Sequence, residues 1–284
     1  MKISHLALQA FIKTAETLNV TQAASKLNLT QSALSQRLAH LETELEVTLF
    51  IREPRGLKLT EAGERLLRFA LLNQKFEEEM LQDLMGSTTE LSGTVRIAAY
   101  SSILRSVLIP ALSVFLQKNP KVTVSFQSFE MNELESILKT ANADIVITDY
   151  SWDKKGIIKK IIGTEEFVVI ENKQAPSPKD VYLDHGPSDN ATEDFFKQQN
   201  HPPPFYRRSF MGDVYGIIDG VELGLGRAVM SKHLIRKNKK IKILNQYQKM
   251  KRPVSMYYFE QPYYSNVMKI IVSELVKNSS HYLD

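Results

Sequence analysis

Residues 30–45 read TQSALSQRLAHLETEL, and their polar side chains share one chemistry. Gln31, Ser32, Ser35, Gln36 and Arg37 are short or forked hydrogen-bonding groups. At about 100° per residue Gln31, Ser32, Ser35 and Gln36 fall on one side of a helix, with Arg37 and His40 toward its flanks. Leu34, Leu38, Leu41 and Leu45 recur on the other side at steps of four, three and four, a single apolar stripe. Acids are absent until Glu42 and Glu44. Taken alone the stretch fits a solvated surface helix, although such helices usually carry Lys and Glu. Amides, hydroxyls and a guanidinium without acids suit base edges and phosphate oxygens instead.

Enzyme chemistry has less to stand on. G-x-S-x-G, H-E-x-x-H, a P-loop and G-x-G-x-x-G are all absent. GLG at 224–226 is a bare glycine pair. His5, His40, His185, His201, His233 and His281 show no metal-ligand spacing, and there is no cysteine, which excludes disulfides, thiolate metal sites and thiol redox sensing. No cofactor is implied.

The elements that must position the polar face come next. Leu6 to Leu18 predicts a first helix with Leu8, Phe11, Ile12 and Ala15 on one face. Thr21 is expected to cap a short second helix, QAASKL, in which Ala23, Ala24 and Leu27 are small or apolar. Asn28 can take the left-handed conformation of a tight exit. Thr30 caps the helix that follows. Two short helices joined by a tight turn form a helix-turn-helix pattern. The segment LFIREPRGLKLT, residues 49–60, then predicts a hairpin or wing turning at Pro54 and Gly56, with Arg52, Arg55 and Lys58 exposed.

This run resembles the DNA-binding domain of LysR-type transcriptional regulators. The matching residues are AA at 23–24, LNxTQSALSQxLxxLE at 27–42, LFxR at 49–52 and LTxAG at 59–63. Asn28 replaces the glycine usual in the turn. The resemblance implies that helix 30–45 enters the major groove, with Gln31, Ser35 and Gln36 near base edges. Ser32, Arg37, Lys26, Arg55 and Lys58 would meet phosphates or the minor groove, and Thr21, Thr30 and Arg52 complete the DNA-facing set.

The chain has 284 residues, enough for a small domain and a larger one. Its net charge is +4. Residues 1–60 hold seven Lys or Arg against five Glu, only weak evidence for a polyanion partner. Residues 231–252 hold nine Lys or Arg and no acid; without interleaved aromatics, a solvated edge is favoured over a second nucleic-acid surface. No apolar run approaches the ~20 residues of a membrane span, and no signal-peptide core opens the chain, so a cytoplasmic protein is expected.

Leu59, Ala62, Leu66, Phe69, Asn73, Phe76, Met80 and Asp83 recur at alternating steps of three and four. Such a seam wants a partner helix, and Asn73 within it can fix register. Residues 59–85 are therefore expected to make a homodimer, which the resemblance extends to a dimer of dimers. Gly86, Ser87, Thr88 and Thr89 with Ser92 and Gly93 read as a polar hinge.

Beyond the hinge, β and α patterns alternate, with GIIKKII and EEFVVIE read as two strands. Alternation of this kind predicts a mostly parallel sheet with helices on both faces. The resemblance implies two Rossmann-like subdomains of type 2 periplasmic-binding-protein kind. The expected class is α/β: a winged helix-turn-helix over 1–60, a linker helix and hinge over 61–92, and an effector-binding domain over 93–284. Its subdomain I would take about 93–160 and 263–284, and subdomain II about 161–262.

Open α/β sheets bind ligands beyond the carboxyl ends of their strands. The candidates there are Ser101, Ser102, Ser128, Thr148, Asp149, Asp184, His185 and Met211, beside Gly186, Gly212 and Asp213. Singly, each serine or aspartate fits an ordinary cap or turn; by resemblance, together they line an effector cleft. Hydroxyls at helix N-termini favour a carboxylate, and Arg227 would strengthen that preference if it points inward. Asp149 and Asp184 suit an ammonium, so an amino acid satisfies more of this chemistry than a simple organic acid. The reading is a sequence-specific DNA-binding regulator responding to a small polar metabolite. A non-specific architectural DNA binder or an α/β enzyme are the alternatives.

Overall fold

The computed structural model describes residues 3–54, 56–84, 90–152, 154–175 and 177–283. They form two compact units, residues 1–91 with 132–144, and residues 92–131 with 145–284. Arg55 and the hinge residues 86–89 lie outside the described residues, as does the Asp83 side chain.

The first unit opens with α1 (His5–Thr17), α2 (Val20–Lys26) and α3 (Gln31–Leu45). Asn19, not Thr21, caps α2: its backbone is extended and its side chain accepts from Gln22 N at 3.1 Å. Thr21 lies inside the first turn. The α1–α2 connection leaves Asn19 one position before the helix, where an Asx side chain reaches an orphan N–H. Asn28 has φ 54°, the left-handed exit, and Thr30 Oγ1 accepts from Ala33 N at 3.2 Å to start α3. Leu34, Leu38 and Leu41 are buried with Phe11, Ala23 and Leu49 in one core.

The wing is a hairpin of β1 (Phe50–Glu53) and β2 (Gly56–Leu59), with Phe50 opposite Leu59. α4 (Glu61–Leu84) follows, its first turn capped by Thr60 Oγ1, which accepts from Gly63 N at 3.0 Å. Gly63 lets the helix lie against the wing. A Cβ there would sit 2.3 Å from Leu49 O and 2.8 Å from Leu59 Cδ2. Gly63→Ala is therefore expected to destabilise the first unit by about 1–3 kcal/mol, read as a lowered unfolding midpoint. An unchanged midpoint would mean that helix and wing separate freely.

The second unit contains β3 (Gly93–Ala99), α5 (Ser101–Ile103) running through a π-helical turn at Leu104–Leu108 into α6 (Ile109–Lys118), and β4 (Val122–Ser128). α7 (Leu134–Lys139) belongs to the first unit, where Arg68 Nη1 donates to Lys139 O at 3.0 Å. Then come β5 (Ile145–Thr148), β6 (Ile157–Asn172), β7 (Val181–Asp184), α8 (Ala191–Lys197), β8 (Arg207–Phe210), α9 (Val214–Glu222), β9 (Ala228–Ser231), α10 (Lys232–Ile235), β10 (Ile241–Ile243), β11 (Met250–Phe259), α11 (Asn266–Asn278) and α12 (Ser280–Leu283).

The main sheet runs β10-β6-β11-β5-β3-β4, with β9 also on β6. It is mixed rather than mostly parallel. β3 pairs in parallel with β4 and β5, but β6 is antiparallel to β9, β10 and β11, and β11 to β5. The two strands expected over 156–171 are one sixteen-residue strand, β6. Gly163, near its centre, leaves room for α12, since a Cβ would meet Leu283 Cδ1 at 2.3 Å. β6 and β11 pair from Ile157–Phe259 to Phe167–Met250, so the chain passes between two lobes along this one ribbon. Lobe I carries β3–β5. Lobe II carries β7–β10, with β7 and β8 as a separate parallel pair.

Alternation on the strands explains why lobe II needs helices on both faces. Val168 and Ile170 pack with Leu183, Ile217 and Val221 on one side. Phe167 and Val169 pack with Tyr182, Phe195 and Phe196 on the other. Among the described residues no helix is long and apolar enough to cross a membrane.

Candidate nucleic-acid interface and effector site

The buried leucine stripe of α3 fixes which way its polar residues face. Thr30, Gln31, Ser32, Ser35 and Gln36 are exposed, as are Thr21 and Lys26 of α2, while Arg37 is half-buried. Thr30 and Ser32 hydroxyls lie 3.1 Å apart, and Thr30 is also committed to its cap. Gln22 and Ser25 of α2 are exposed too and extend the polar set.

Glu42 does not add negative charge to this face. Its Oε1 accepts from Leu49 N at 2.6 Å and Phe50 N at 3.2 Å, tying the wing to α3. On the wing Arg52 and Lys58 are exposed, and Lys58 lies 3.5 Å from Glu53. The result is a surface of amides, hydroxyls and cations with its nearby acids turned to other work, the donor and acceptor set that base edges and phosphates require.

In the second unit the strand ends gather at the β6/β11 ribbon. Thr148, buried at the end of β5, lies 2.6 Å from Tyr100 OH and accepts from Tyr150 N at 3.1 Å. Arg252 reaches across: Nη1 is 3.3 Å from Asp149 Oδ2, and Nη2 is 3.0 Å from Asp194 Oδ2 in the first turn of α8. One guanidinium thus links a lobe I carboxylate to a lobe II carboxylate. Further contacts join the lobes at the π turn. Tyr215 OH donates to Ser101 O at 3.5 Å, and the Arg105 guanidinium sits 3.8 Å over the Tyr215 ring. Ser106 Oγ is 2.9 Å from His233 Nδ1, whose Nε2 is 2.7 Å from Glu165 Oε1.

Several expected pocket residues are engaged elsewhere. Asp184 is 1% exposed, accepts from Thr192 Oγ1 at 2.5 Å and pairs with Arg208. Burial pushes its carboxyl above the usual range, while Thr192 and Arg208 pull it down. Arg227 does not offer an anion site. Its Nε donates to Glu171 Oε2 at 2.9 Å, because the Tyr182–Arg227 bridge aligns it with β7 and turns it toward β6. The His185 backbone N–H is held by Asp189 Oδ2 at 3.2 Å. Met211 N donates to Asp184 O at 2.9 Å, and Asp213 caps α9. Ser128 ends β4 beside Ala99 and is exposed. Ser101 and Ser102 are half-buried at the start of α5, and neither caps it with its side chain.

Tyr100, Arg252, Asp194, Tyr215 and His233 were missed by the pattern reading, since nothing in local spacing ties Arg252 to Asp149, 103 positions away. Ser231, at the end of β9, joins the same cluster: its hydroxyl, 3% exposed, donates to Glu165 Oε1 at 2.7 Å.

The basic run 231–252 is a paired edge. Lys232, Lys249 and Lys251 lie 3.5, 2.9 and 3.6 Å from Glu166. The Lys249 hydrogen bond leads in holding that carboxyl below its usual range. Lys240 pairs with Glu222 and Lys242 with Glu171. Most of these cations thus have an acidic partner within the unit, consistent with a solvated face.

Comparison with known proteins bears on both surfaces. The family model for bacterial regulatory helix-turn-helix proteins of the lysR family matches residues 6–64, and that for the LysR substrate binding domain matches 88–278. The uncharacterized HTH-type transcriptional regulator YvbU of Bacillus subtilis is 30% identical over 79% of this chain and 80% of its own. The HTH-type transcriptional activator IlvY of Haemophilus influenzae is 31% identical over 49% of this chain, and the match spans about half of that relative, 48%. Full-length LysG of Corynebacterium glutamicum with bound effector Arg has the same fold, with TM-score 0.75 at 18% identity over 97% of both chains. With both family models matched and YvbU similar over most of its length, the chain belongs to the LysR family.

Proposed function

We propose that the chain is a cytoplasmic, sequence-specific transcriptional regulator that binds a paired operator as a dimer or dimer of dimers, and that a small polar metabolite between the two lobes changes that binding. The observation that carries this is the exposed face of α3, acid-free from Gln31 to Leu41, backed by its buried leucines and set beside a wing. Gln31, Ser35 and Gln36 read base edges; Ser32, Arg37, Lys26 and the wing cations hold phosphates. LysR-family relatives are named as transcriptional regulators rather than enzymes, which favours this over an α/β enzyme.

The test is gel retardation with a fragment that the chain selects from a random DNA pool. Gln31→Ala is expected to cost about 1–3 kcal/mol and relax choice at one base position. Lys26→Ala is expected to weaken selected and random DNA alike and to flatten the salt dependence by about one unit of slope. Equal losses from both variants on both DNAs would favour a non-specific architectural binder.

A further inference from the structure

Asp149 stands out among the groups at the strand ends. Its side chain is only 8% exposed, yet one of its two oxygens, Oδ1, is buried and accepts no hydrogen bond. The other takes a long hydrogen bond from Arg252 Nη1 at 3.3 Å, and Arg252 is shared with Asp194, while the Tyr100 hydroxyl and the Asp149 backbone N–H also act on this carboxylate. Of the neighbouring groups, Tyr100 OH lies 2.6 Å from Thr148 Oγ1, and Tyr150 N donates to the same Thr148 oxygen. Burial first, and the nearby Glu165 charge second, push the Asp149 carboxyl above the usual carboxylate range, against the pull of Arg252. A buried acceptor left without a donor is unfavourable, since it has lost its water and gained nothing in exchange. Folded proteins leave few such groups without a partner, so each exception asks what supplies the missing donor.

Position narrows the answer. Asp149 directly follows β5, at the carboxyl end where open α/β sheets take ligands, and its partner Arg252 also holds lobe II through Asp194. An anionic group placed there would meet Asp149, Asp194 and Glu165 together. The other two charged candidates already have partners, Asp184 in Arg208 and Arg227 in Glu171.

We propose that Asp149 reads a protonated nitrogen of the effector, an ammonium, amidinium or guanidinium, whose N–H donates to Oδ1. This rests on the reading of the inter-lobe space as the effector site. The ligand's cation also competes with Arg252 for Asp149. Because Arg252 ties Asp149 to Asp194, occupancy at this one carboxylate changes the link between the lobes. A ligand shifts such an equilibrium only by its differential affinity for the two arrangements, and this contact supplies a difference.

The test is a thermal-shift screen of the full chain, followed by calorimetry. The probes are L-lysine, L-arginine, putrescine and agmatine against hexanoate, succinate and glutarate. Stabilisation is expected only from compounds with a protonated nitrogen. Asp149→Asn, which keeps the shape and removes the charge, is expected to weaken the best of them about 10–100-fold. N-acetylation of that compound is expected to abolish its binding to the unaltered chain, a readout that does not depend on how the variant folds. The proposal is overturned if a carboxylate without a basic nitrogen binds best, if Asp149→Asn or N-acetylation leaves affinity intact, or if no cation in the panel binds. Retardation of the selected DNA, measured in parallel, separates the two levels. Its loss from the unaltered chain defeats the proposed function, whereas its persistence with no cation effect defeats only the assignment of Asp149.

Discussion

Arg208→Met is expected to destabilise the second unit by about 3–5 kcal/mol. Arg208 binds Asp184 through Nε, Glu193 Oε1 through Nη1 at 2.9 Å, and the carbonyls of Gly186 and Asp189 through Nη2. Methionine fills much of the same volume but leaves Asp184 charged and enclosed, with Thr192 as its remaining side-chain partner. The penalty is that of an uncompensated buried carboxylate rather than the net worth of the pair. Two further measurements separate these. Arg208→Met with Asp184→Leu should regain most of the stability, because replacing a buried pair by apolar groups is often neutral. The single variant should also gain stability as pH falls. Burial already raises the folded pKa of Asp184 with Arg208 present, and removing the cation raises it further. A carboxyl with a raised folded pKa binds its proton more tightly folded than unfolded, so its contribution is fully present below the unfolded pKa and is lost as pH rises through the folded one. Urea unfolding at several pH values gives all three results. A variant as stable as the unaltered chain at neutral pH would show that Asp184 reaches solvent.

Phe69→Asp with Met80→Asp is expected to convert a dimer into monomers and to abolish retention of a paired operator, while the effector unit stays folded. The seam expected along 59–85 divides into two sets of residues. Leu59 is buried in the first unit's own core, and Ala62 and Leu66 pack against it. Phe69 is 50% and Met80 45% exposed, leaving these to meet a partner helix. Burying a large apolar side chain contributes about 1.5–3 kcal/mol, so two per protomer, each replaced by a charge, remove enough to dissociate a micromolar dimer. Sedimentation velocity checks it. Leu66→Asp should instead unfold the first unit. An unaltered chain that sediments as a monomer at micromolar concentration would sink the dimer reading.

The helix-turn-helix was legible because its information is local. Leu34, Leu38 and Leu41 recur at the helical period, Asn28 sits at a left-handed exit, and Thr30 caps three residues ahead of its donor. A side chain's face follows from the backbone period once the helix exists, so the exposure of Gln31, Ser35 and Gln36 also follows from the sequence. The cap of α2 was misassigned by two positions, since Thr21 and Asn19 are both good caps and only the path of the chain out of α1 chooses between them. The effector unit was legible as alternating elements, but not in its pairing. The spacing of GIIKKII and EEFVVIE does not reveal that one ribbon carries both, because strand pairing joins Ile157 to Phe259 across about a hundred residues. The same distance hides the fate of the charges. Asp184, Arg227 and Asp149 look alike in sequence, as charged groups at strand ends. Tertiary structure gives the first to Arg208, the second to Glu171, and leaves the third with an open oxygen. Burial removes water as the default partner of a charge, so what each one does depends on which group the fold brings within about 3 Å, and a local pattern carries no record of that.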